Sequence, residues 1–351
     1  MRTDRVIAER YRLLAELGRG GMGIVWRAED TVLGREVAVK EVMSPSDDAA
    51  RRAVREARSA ARLSHPSVVK VFDVVEEDGR PWVVMEYVEA RSLQDVIKQD
   101  GPLPPERVAR VGRQLLSALG AAHRVGILHR DVKPGNVLLA KGDRAVLSDF
   151  GIAVIEGDVT LTQAGGVLGS PAYIAPERFL GERALPASDL WALGATLYAA
   201  TFGRPPFHRD DPVAVFGAVL NEEATIPPQA QALRPVLEGL LRKDPRERMP
   251  IGVAEAVLLA ISEDRLPQPP PVVPPQATGG GIDDAAVAAE WPTAAAAGSP
   301  VAEWPGGAGT TALPVPPERD DELRWRLGGV MAYVGMALLL LGSLFILLSS
   351  M

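Results

Sequence analysis

The sequence of 351 residues has no cysteine, only four histidines, and few aromatic residues, which make up 5% of the chain. The lack of cysteine excludes disulfides, thiol catalysis and cysteine-ligated metal sites, and it is compatible with a reducing compartment. The histidines form neither an HExxH pattern nor a close pair, which excludes zinc sites of that kind. An excess of basic charge is also lacking: the net charge is −7, which argues against nucleic acid as a partner.

Composition divides the chain into three parts. Residues 11–263 carry periodic apolar segments between short turn clusters, as expected of a packed domain. Residues 264–323 are rich in Pro, Ala and Gly, which predicts a disordered linker with a reach of roughly 40 Å as a coil. Residues 327–349 are uncharged and long enough to predict a transmembrane helix. Arg324 and Arg326 precede this run, so we expect a single-pass cell-membrane protein whose N-terminal domain is cytoplasmic.

Within residues 11–263 the hydrophobic pattern changes from strand-like to helical. Strands are predicted at 24–26, 36–40, 68–75 and 82–88, with one helix at about 47–63. After residue 92 the pattern becomes helical, as at 105–125 and 186–201. A β-rich part followed by an α-rich part predicts an α+β fold with two lobes, at about 11–88 and 89–263.

The glycine-rich stretch GRGGMGIVW at residues 18–26 fits two different phosphate-binding loops. One opens a dinucleotide-binding fold, for which Glu41 lies at a suitable spacing; the other is a flap over ATP. A dinucleotide-binding loop must be followed by a helix. Here Gly18, Gly20 and Gly23 are followed by β-branched and aromatic residues, a turn at 30–34 and an alternating segment at 35–40, which favours a hairpin. The stretch therefore predicts a flap over ATP phosphates.

Two charged residues after the flap are candidates for phosphate binding. Lys40 ends the second strand of the hairpin, from which its ammonium group could reach the α- and β-phosphates. Glu56 is the only acidic residue in the middle of the next helical segment. We therefore predict an ion pair between Lys40 and Glu56, in preference to simple solvation of both side chains.

The segment HRDVKPGN at residues 129–136 places polar side chains between apolar runs, which favours a functional site over a plain turn. Phosphoryl transfer requires positioning and charge neutralisation. Asp131 could orient an attacking hydroxyl group and Lys133 could neutralise the γ-phosphoryl oxygens. Asn136 offers an oxygen ligand to a hard cation such as Mg²⁺, and Asp149, which begins DFG at 149–151, offers a second.

Taken in order, these motifs resemble those of a eukaryotic-type (Hanks-type) serine/threonine protein kinase of the membrane-anchored bacterial kind. The resemblance covers residues 11–262 and includes GxGxxGxV at 18–25, VAVK at 37–40, HRDxKxxN at 129–136, DFG at 149–151 and APE at 175–177. Lys133 matches the serine/threonine subclass rather than the tyrosine subclass. The resemblance implies a bilobal kinase fold and transfer of the γ-phosphoryl group of ATP to protein Ser and Thr hydroxyls, with Mg²⁺ or Mn²⁺ as cofactor.

The resemblance also implies roles for individual positions. Val25, Ala38 and Leu138 would enclose adenine, Met85 would be the gatekeeper, and the backbone of 86–88 would be the hinge. The implied ATP-binding set is Leu17, Gly18, Gly20, Gly23, Val25, Ala38, Lys40, Met85, Glu86, Val88 and Leu138. The implied structural supports are Glu177 paired with Arg248, Asp189 on the backbone of the catalytic loop, and Ser170 at the position that faces the catalytic residues.

Regulation is expected in the loop between the DFG and APE motifs. Thr162, with Thr160 second, is the predicted autophosphorylation site, and Arg130 could bind the resulting phosphate. The expected partners are protein substrates, the membrane, and a second copy of the chain through the kinase domain or the transmembrane helix. The alternative is a catalytically weak pseudokinase scaffold at the membrane, although such a protein should lack Lys40, Asp131 or Asp149.

Overall fold

The computed structural model describes residues 5–20, 23–43, 46–150 and 171–263. The predicted linker at 264–323, the predicted transmembrane helix at 327–349, Thr160, Thr162 and Ser170 lie outside these ranges. None of the helices within them is long and apolar enough to cross a membrane.

The N-terminal part is a six-stranded sheet. In chain order its strands are β1 Val6–Ile7, β2 Tyr11–Gly20, β3 Gly23–Asp30, β4 Arg35–Val42, β5 Val71–Glu77 and β6 Arg80–Glu86. The spatial order is β1-β2-β3-β4-β6-β5, and every pair is antiparallel. Short turns connect the neighbouring strands, except where the helix α1, Asp47–Ala60, lies between β4 and β5. The Ser46 side chain caps this helix by accepting a hydrogen bond from the Ala49 N–H group.

The C-terminal part is mainly helical. Its helices are α2 Leu93–Asp100, α3 Pro105–Arg124, α4 Pro176–Phe179, α5 Pro186–Phe202, α6 Pro212–Asn221, α7 Arg234–Leu240 and α8 Ile251–Ser262. A second, three-stranded antiparallel sheet consists of β7 Ala90–Ser92, β8 Val137–Ala140 and β9 Arg144–Leu147. The predicted arrangement of a β-rich lobe followed by an α-rich lobe is confirmed.

The helical core is built around α5. Residues 188–200 of this helix are all buried, because it is apolar on every side and is enclosed by α3, α7 and their neighbours. A proline at its first position and a left-handed Gly203 at its end set its limits. A loop that is hydrogen-bonded to the buried helix α5 is therefore held in a fixed position.

One predicted strand begins later than expected. The predicted strand at 68–75 starts at Val71, because the preceding residues bind the other sheet instead. The Val69 N–H group donates to the Leu147 carbonyl at 3.0 Å, and the Leu147 N–H group donates to the Ser67 carbonyl at 2.9 Å. These bonds attach the segment between α1 and β5 to β9, directly before the DFG motif.

Candidate active site

The glycine-rich stretch forms the turn end of the β2–β3 hairpin, and β3 pairs with β4 so that Val25 lies opposite Lys40. Gly23 has a φ of +138°, and a Cβ atom there would lie 1.9 Å from the Glu41 carbonyl oxygen. Only glycine fits at this position. Apart from the chain neighbours, no atom of the described residues lies within 4 Å of a Cβ built on Gly18 or Gly20. Gly23 is therefore required by the hairpin itself, whereas the other two glycines border open space.

The predicted ion pair between Lys40 and Glu56 is wrong for this structure. Lys40 is 6% exposed, and its ammonium group binds the Asp149 carboxylate instead. Glu56 accepts a hydrogen bond from the Arg130 guanidinium at 2.9 Å. Lysine and glutamate each have a partner of opposite charge, but these partners belong to the DFG and HRD motifs. The reason is that several charged groups meet here and the position of α1 selects among them.

The pKa values of the Asp149 and Glu56 carboxylates are shifted in opposite directions. Burial alone would raise the pKa of Asp149, but the positive charge and hydrogen bond of Lys40 lower it. Burial raises the pKa of Glu56, and the neighbouring Arg130 offsets this only in part. The negative charge is thus well stabilised on Asp149 and less so on Glu56.

Asp189 of α5 fixes the backbone of the catalytic loop, a contact that the resemblance implies. Its carboxylate is 2% exposed and accepts hydrogen bonds from the N–H groups of His129 at 2.9 Å and Arg130 at 2.8 Å. It also lies 2.8 Å from His123 Nε2. Arg130 has a φ of +68°, a left-handed conformation that is strained for a side chain of this size. The buried carboxylate therefore holds the loop in a conformation it would not adopt alone.

His129 is completely buried beneath this loop. Its Nε2–H group donates to the Ser148 carbonyl at 2.8 Å, and its Nδ1 atom accepts from the Asp131 N–H group at 3.2 Å. Burial lowers its pKa, and the two contacts require the neutral ring with the proton on Nε2. His129 consequently links the backbone at Asp131 to the residue before Asp149.

Asp131, Lys133 and Asn136 form one hydrogen-bonded group. Lys133 Nζ donates to the Asp131 carboxylate at 2.7 Å, and Asn136 Nδ2 donates to the same oxygen at 2.9 Å. A 3₁₀ turn at Pro134–Asn136 brings Asn136 back towards Asp131. The three side chains that the sequence selected for phosphoryl transfer therefore lie together.

A divalent cation would find oxygen donors but not a complete binding site here. Asn136 turns its amide nitrogen towards Asp131, which leaves its Oδ1 atom for a hard cation, and Asp149 carries a carboxylate. Within the described ranges, no group of three or more His, Asp or Glu side chains could hold a metal ion. The residues fit an ion such as Mg²⁺, which takes one or two carboxylates and completes its shell with phosphate oxygens and water.

The residues predicted to enclose adenine lie in one apolar cluster. Ala38 and Met85 are buried in it, and Val25, Val88 and Leu138 pack against it. Ala38 and Met85 face each other across β4 and β6.

The ends of the predicted adenine site differ in their contacts. The Glu86 N–H group donates to the Lys70 carbonyl at 2.8 Å, so this donor of the predicted hinge is already used. Leu17 is 46% exposed beside Gly18. The hinge is thus tied to the N-terminal sheet, while the residue at the start of the flap borders solvent.

Glu177 and Arg248 form the buried ion pair that the resemblance implies. The guanidinium binds both carboxylate oxygens, at 2.6 and 2.5 Å, and both side chains are almost fully buried. The Ser188 hydroxyl donates to the same carboxylate at 2.6 Å, and Arg248 also donates to backbone carbonyls, including that of Ala187. This network joins the APE segment to α5.

Sequence reasoning missed three groups that hold these residues in place: His123, Ser188 and the ring of His129. His123 lies near the end of α3, and no local pattern indicates its contact with Asp189. Ser188 could have been selected, because a serine beside an aspartate at a helix start commonly bonds local backbone. His129 was visible as part of the motif, but its burial was not.

Comparison with known proteins agrees with this geometry. The sequence model of the protein kinase domain family matches residues 11–258, which is more than half of the chain. The chain belongs to the protein kinase family. Use of ATP and a divalent cation is general to this family, and its substrates are proteins. The motifs at Lys40, Asp131 and Asp149 all lie within the matched residues of the kinase domain.

The similar curated proteins are named bacterial serine/threonine kinases. The chain is 40% identical over 271 residues to serine/threonine-protein kinase PknE of Mycobacterium bovis, covering 73% of this chain and 47% of that protein. It is 42% identical over 248 residues to PknD of Mycobacterium tuberculosis, covering 68% and 37%. It is 41% identical over 231 residues to probable serine/threonine-protein kinase PknB of Corynebacterium glutamicum, covering 63% and 36%. The chain therefore spans less than half the length of each of these relatives.

Proposed function

We propose that this chain is an active serine/threonine protein kinase that transfers the γ-phosphoryl group of Mg-ATP to Ser and Thr hydroxyls of proteins. The observation that carries the proposal is the hydrogen-bonded group of Asp131, Lys133 and Asn136, together with the pair of Lys40 and Asp149. The relatives' names support the choice of Ser and Thr. The pseudokinase alternative has no support, because Lys40, Asp131 and Asp149 are all present.

In the proposed reaction the substrate hydroxyl oxygen forms a bond to the γ-phosphorus, and the bond to the β,γ-bridging oxygen breaks to release ADP. Asp131 orients the hydroxyl and takes up its proton as the new bond forms, while Lys133 moves from Asp131 to the developing charge on the γ-phosphoryl oxygens. Asn136 and Asp149 would hold Mg²⁺, which neutralises phosphate charge. Lys40 would then bind the α- and β-phosphates, and Gly18 and Gly20 leave room for the flap to approach them.

The test is phosphate transfer from labelled ATP by the full-length protein in detergent. Asp131→Asn and Lys40→Met should each lower the rate at least about 100-fold, since each removes a group that acts in the transition state. Asp210→Asn and Lys141→Met are matched controls with the same chemical changes at exposed positions outside the site, and they should retain activity. Equal rates in Asp131→Asn and the wild type would reject the proposed mechanism.

We further propose that phosphorylation of Thr162 or Thr160 activates the enzyme by an exchange of ion pairs. Arg130 binds Glu56 here, and a phosphate in the loop would compete for the same guanidinium with a larger negative charge. Glu56, released from Arg130, could then pair with Lys40. Preincubation with Mg-ATP should raise the rate towards a protein substrate, and Arg130→Gln should abolish that gain. Mass spectrometry that finds no phosphate on either threonine would contradict this step.

Anchoring is the last part of the proposal: residues 327–349 hold the protein in the cell membrane, with the kinase domain in the cytoplasm. Its support is the uncharged run and the arginines before it. A chain truncated after Pro317 should become soluble, whereas the full chain should fractionate with membranes. Full-length protein found wholly in the soluble fraction would contradict the anchor.

A further inference from the structure

Helix α1 and the turn that follows it carry a straight line of exposed arginines. Arg51, Arg55, Arg58 and Arg62, here called the arginine line, follow one another at intervals of four, three and four residues. At 100° per residue the three arginines within α1 fall within about 60° of the helix circumference and extend for about 10 Å. Arg62 follows in the turn after the helix end. The buried face consists of small residues on the opposite side: Ala49, Ala53, Ala57 and Ala60. The line is therefore the part of α1 that points farthest from the core.

Within the described part of the chain, the arginine line is unpaired. Among the residues that the structure describes, no carboxylate lies within ion-pair distance of any of its four guanidinium groups, although other exposed arginines such as Arg19 and Arg91 are paired. Glu56, the acidic residue nearest in sequence, binds Arg130 instead. Like charges at such spacing destabilise a helix. An anionic partner would remove this repulsion as well as add its own attraction.

A further cation continues the basic surface beyond the helix. Arg124, at the end of α3, is exposed. Burial and then the positive charge of Arg124 lower the pKa of His65, which follows the arginine line by three residues. His65 Nε2 also lies 3.0 Å from the Ser117 hydroxyl of α3, so the chain just after the line contacts the helix that Arg124 ends. Arg124, like the line, makes no ion pair within the described ranges.

The shape of this surface and the proposed anchor both favour a bilayer as the partner. The line lies on the solvent-facing side of a helix, whereas a peptide partner gains specificity from pockets for its side chains. Lipid phosphates need only an accessible row of cations, and guanidinium groups bind phosphate oxygens in a bidentate manner. The linker at 264–323 has a reach of roughly 40 Å, so a domain anchored at 327–349 stays close to lipid.

We propose that the arginine line docks the kinase domain onto the anionic headgroups of the membrane. The proposal rests on the anchoring part of the proposed function, and it adds a defined face of the domain that meets the lipid. The attraction acts only near contact, because charges are screened over about 8 Å at physiological ionic strength.

The absence of cysteine allows a specific test on the full chain. Ser59→Cys introduces a single thiol on the exposed side of α1 beside the line, and Val253→Cys introduces one on α8 as a control position. Each thiol is labelled with a fluorophore, and the proteins are reconstituted into phosphatidylcholine vesicles with or without phosphatidylglycerol. Quenchers on the lipid headgroups then lower the fluorescence when the label lies close to the membrane surface. Quenching of the α1 label should increase with phosphatidylglycerol and decrease with added salt, whereas quenching of the α8 label should not change.

Two variants with the same net charge distinguish an effect of the arginine line from an effect of net charge alone. Replacing Arg51, Arg55, Arg58 and Arg62 with Gln should lower the docked-to-undocked ratio about fivefold for each arginine removed. The control replaces four exposed arginines elsewhere that form no ion pair among the described residues, and it should have little effect: Arg183, Arg204, Arg242 and Arg246. Equal quenching in both lipids, or equal effects of both variants, would overturn the proposal.

The remaining outcomes distinguish the anchor from the docking surface. Failure of the full chain to float with phosphatidylcholine vesicles would contradict the anchor. Docking would still be supported if the chain floated only with vesicles that contain phosphatidylglycerol and if the variant of the arginine line abolished that flotation. Protection of the α1 label that is independent of lipid and is lost on deleting residues 318–322 would identify the chain's own acidic segment as the occupant. That result would overturn docking to lipid.

Discussion

Replacement of Gly23 with alanine tests the difference among the three glycines of the flap. The new Cβ atom would lie 1.9 Å from the Glu41 carbonyl oxygen, which belongs to the neighbouring strand and cannot turn aside as a side chain could. The φ of +138° adds strain of about 1–3 kcal/mol for any other residue. Moving the backbone to relieve the overlap adds about 1–3 kcal/mol more. We expect a total loss of about 2–6 kcal/mol from the free energy of unfolding.

This loss can be measured by thermal unfolding of the full-length protein without nucleotide. For a domain of this size a loss of 1 kcal/mol lowers the melting temperature by about 2–4 °C, so Gly23→Ala should lower it by roughly 4–24 °C. Gly18→Ala and Gly20→Ala are the matched controls, because their Cβ atoms would meet no non-neighbouring atom within 4 Å in the part of the chain that the structure describes. They should leave the melting temperature nearly unchanged and weaken only ATP binding. If Gly23→Ala unfolds at the same temperature as Gly20→Ala, the steric reasoning is refuted.

Other predictions concern buried charges in the helical lobe. Arg248→Met should lower the free energy of unfolding in urea by about 3–5 kcal/mol, because it leaves the Glu177 carboxylate buried without its cation; stability equal to the wild type would contradict this. Burial opposes ionisation of Glu177, but the hydrogen bonds from Arg248 and Ser188 lower its pKa below the usual 4.5. The ionised Glu177 carboxylate therefore contributes its full stabilisation above the pKa that it has in the unfolded state, and this stabilisation is lost as the pH falls through its pKa in the folded state. Glu177→Gln should consequently lose less stability in acid than the wild type does. Burial lowers the pKa of Lys243 from 10.5 to about 8, with its ammonium group 4.1 Å from the centre of the Phe207 ring. The unfolded state thus binds more protons between these values, so stability should rise from about pH 8 to 10.5 relative to Lys243→Met, and parallel pH profiles would exclude the effect.

Local patterns in the sequence were sufficient to predict the hairpin and the main helices. The alternation after Gly23 and the turn at 30–34 depend on neighbouring residues, and the structure has both strands. The apolar periodicity at 105–125 and 186–201 likewise predicts α3 and α5 to within a residue or two. The late start of β5 was not predictable in this way, because residues 67–69 bond a strand that is far away in the sequence.

The ion pairs likewise differ in how far the sequence alone could predict them. The pair of Glu177 with Arg248 came from the resemblance, and both side chains are almost fully buried, so that each depends on the other for its opposite charge. Glu56 lies partly exposed among arginines, and its choice between Arg130 and Lys40 depends on the position of α1 rather than on local pattern. Free-energy differences between such half-exposed pairs are small, so sequence alone does not rank them.

The dependence of the catalytic loop on Asp189 also has a consequence for the order of events during synthesis. The strands of the N-terminal sheet are complete once residue 86 has left the ribosome. The Asp131 loop cannot take its final form until Asp189 follows, and the APE segment must wait for Arg248, which comes far later in the chain. At about 5–20 residues per second, the roughly 100 residues from Glu86 to Asp189 mean a delay of roughly 5–20 s. A nascent kinase therefore has the strands of its flap for several seconds before it can complete a catalytic centre, because the loop that carries Asp131 is fixed only by a residue that is made later.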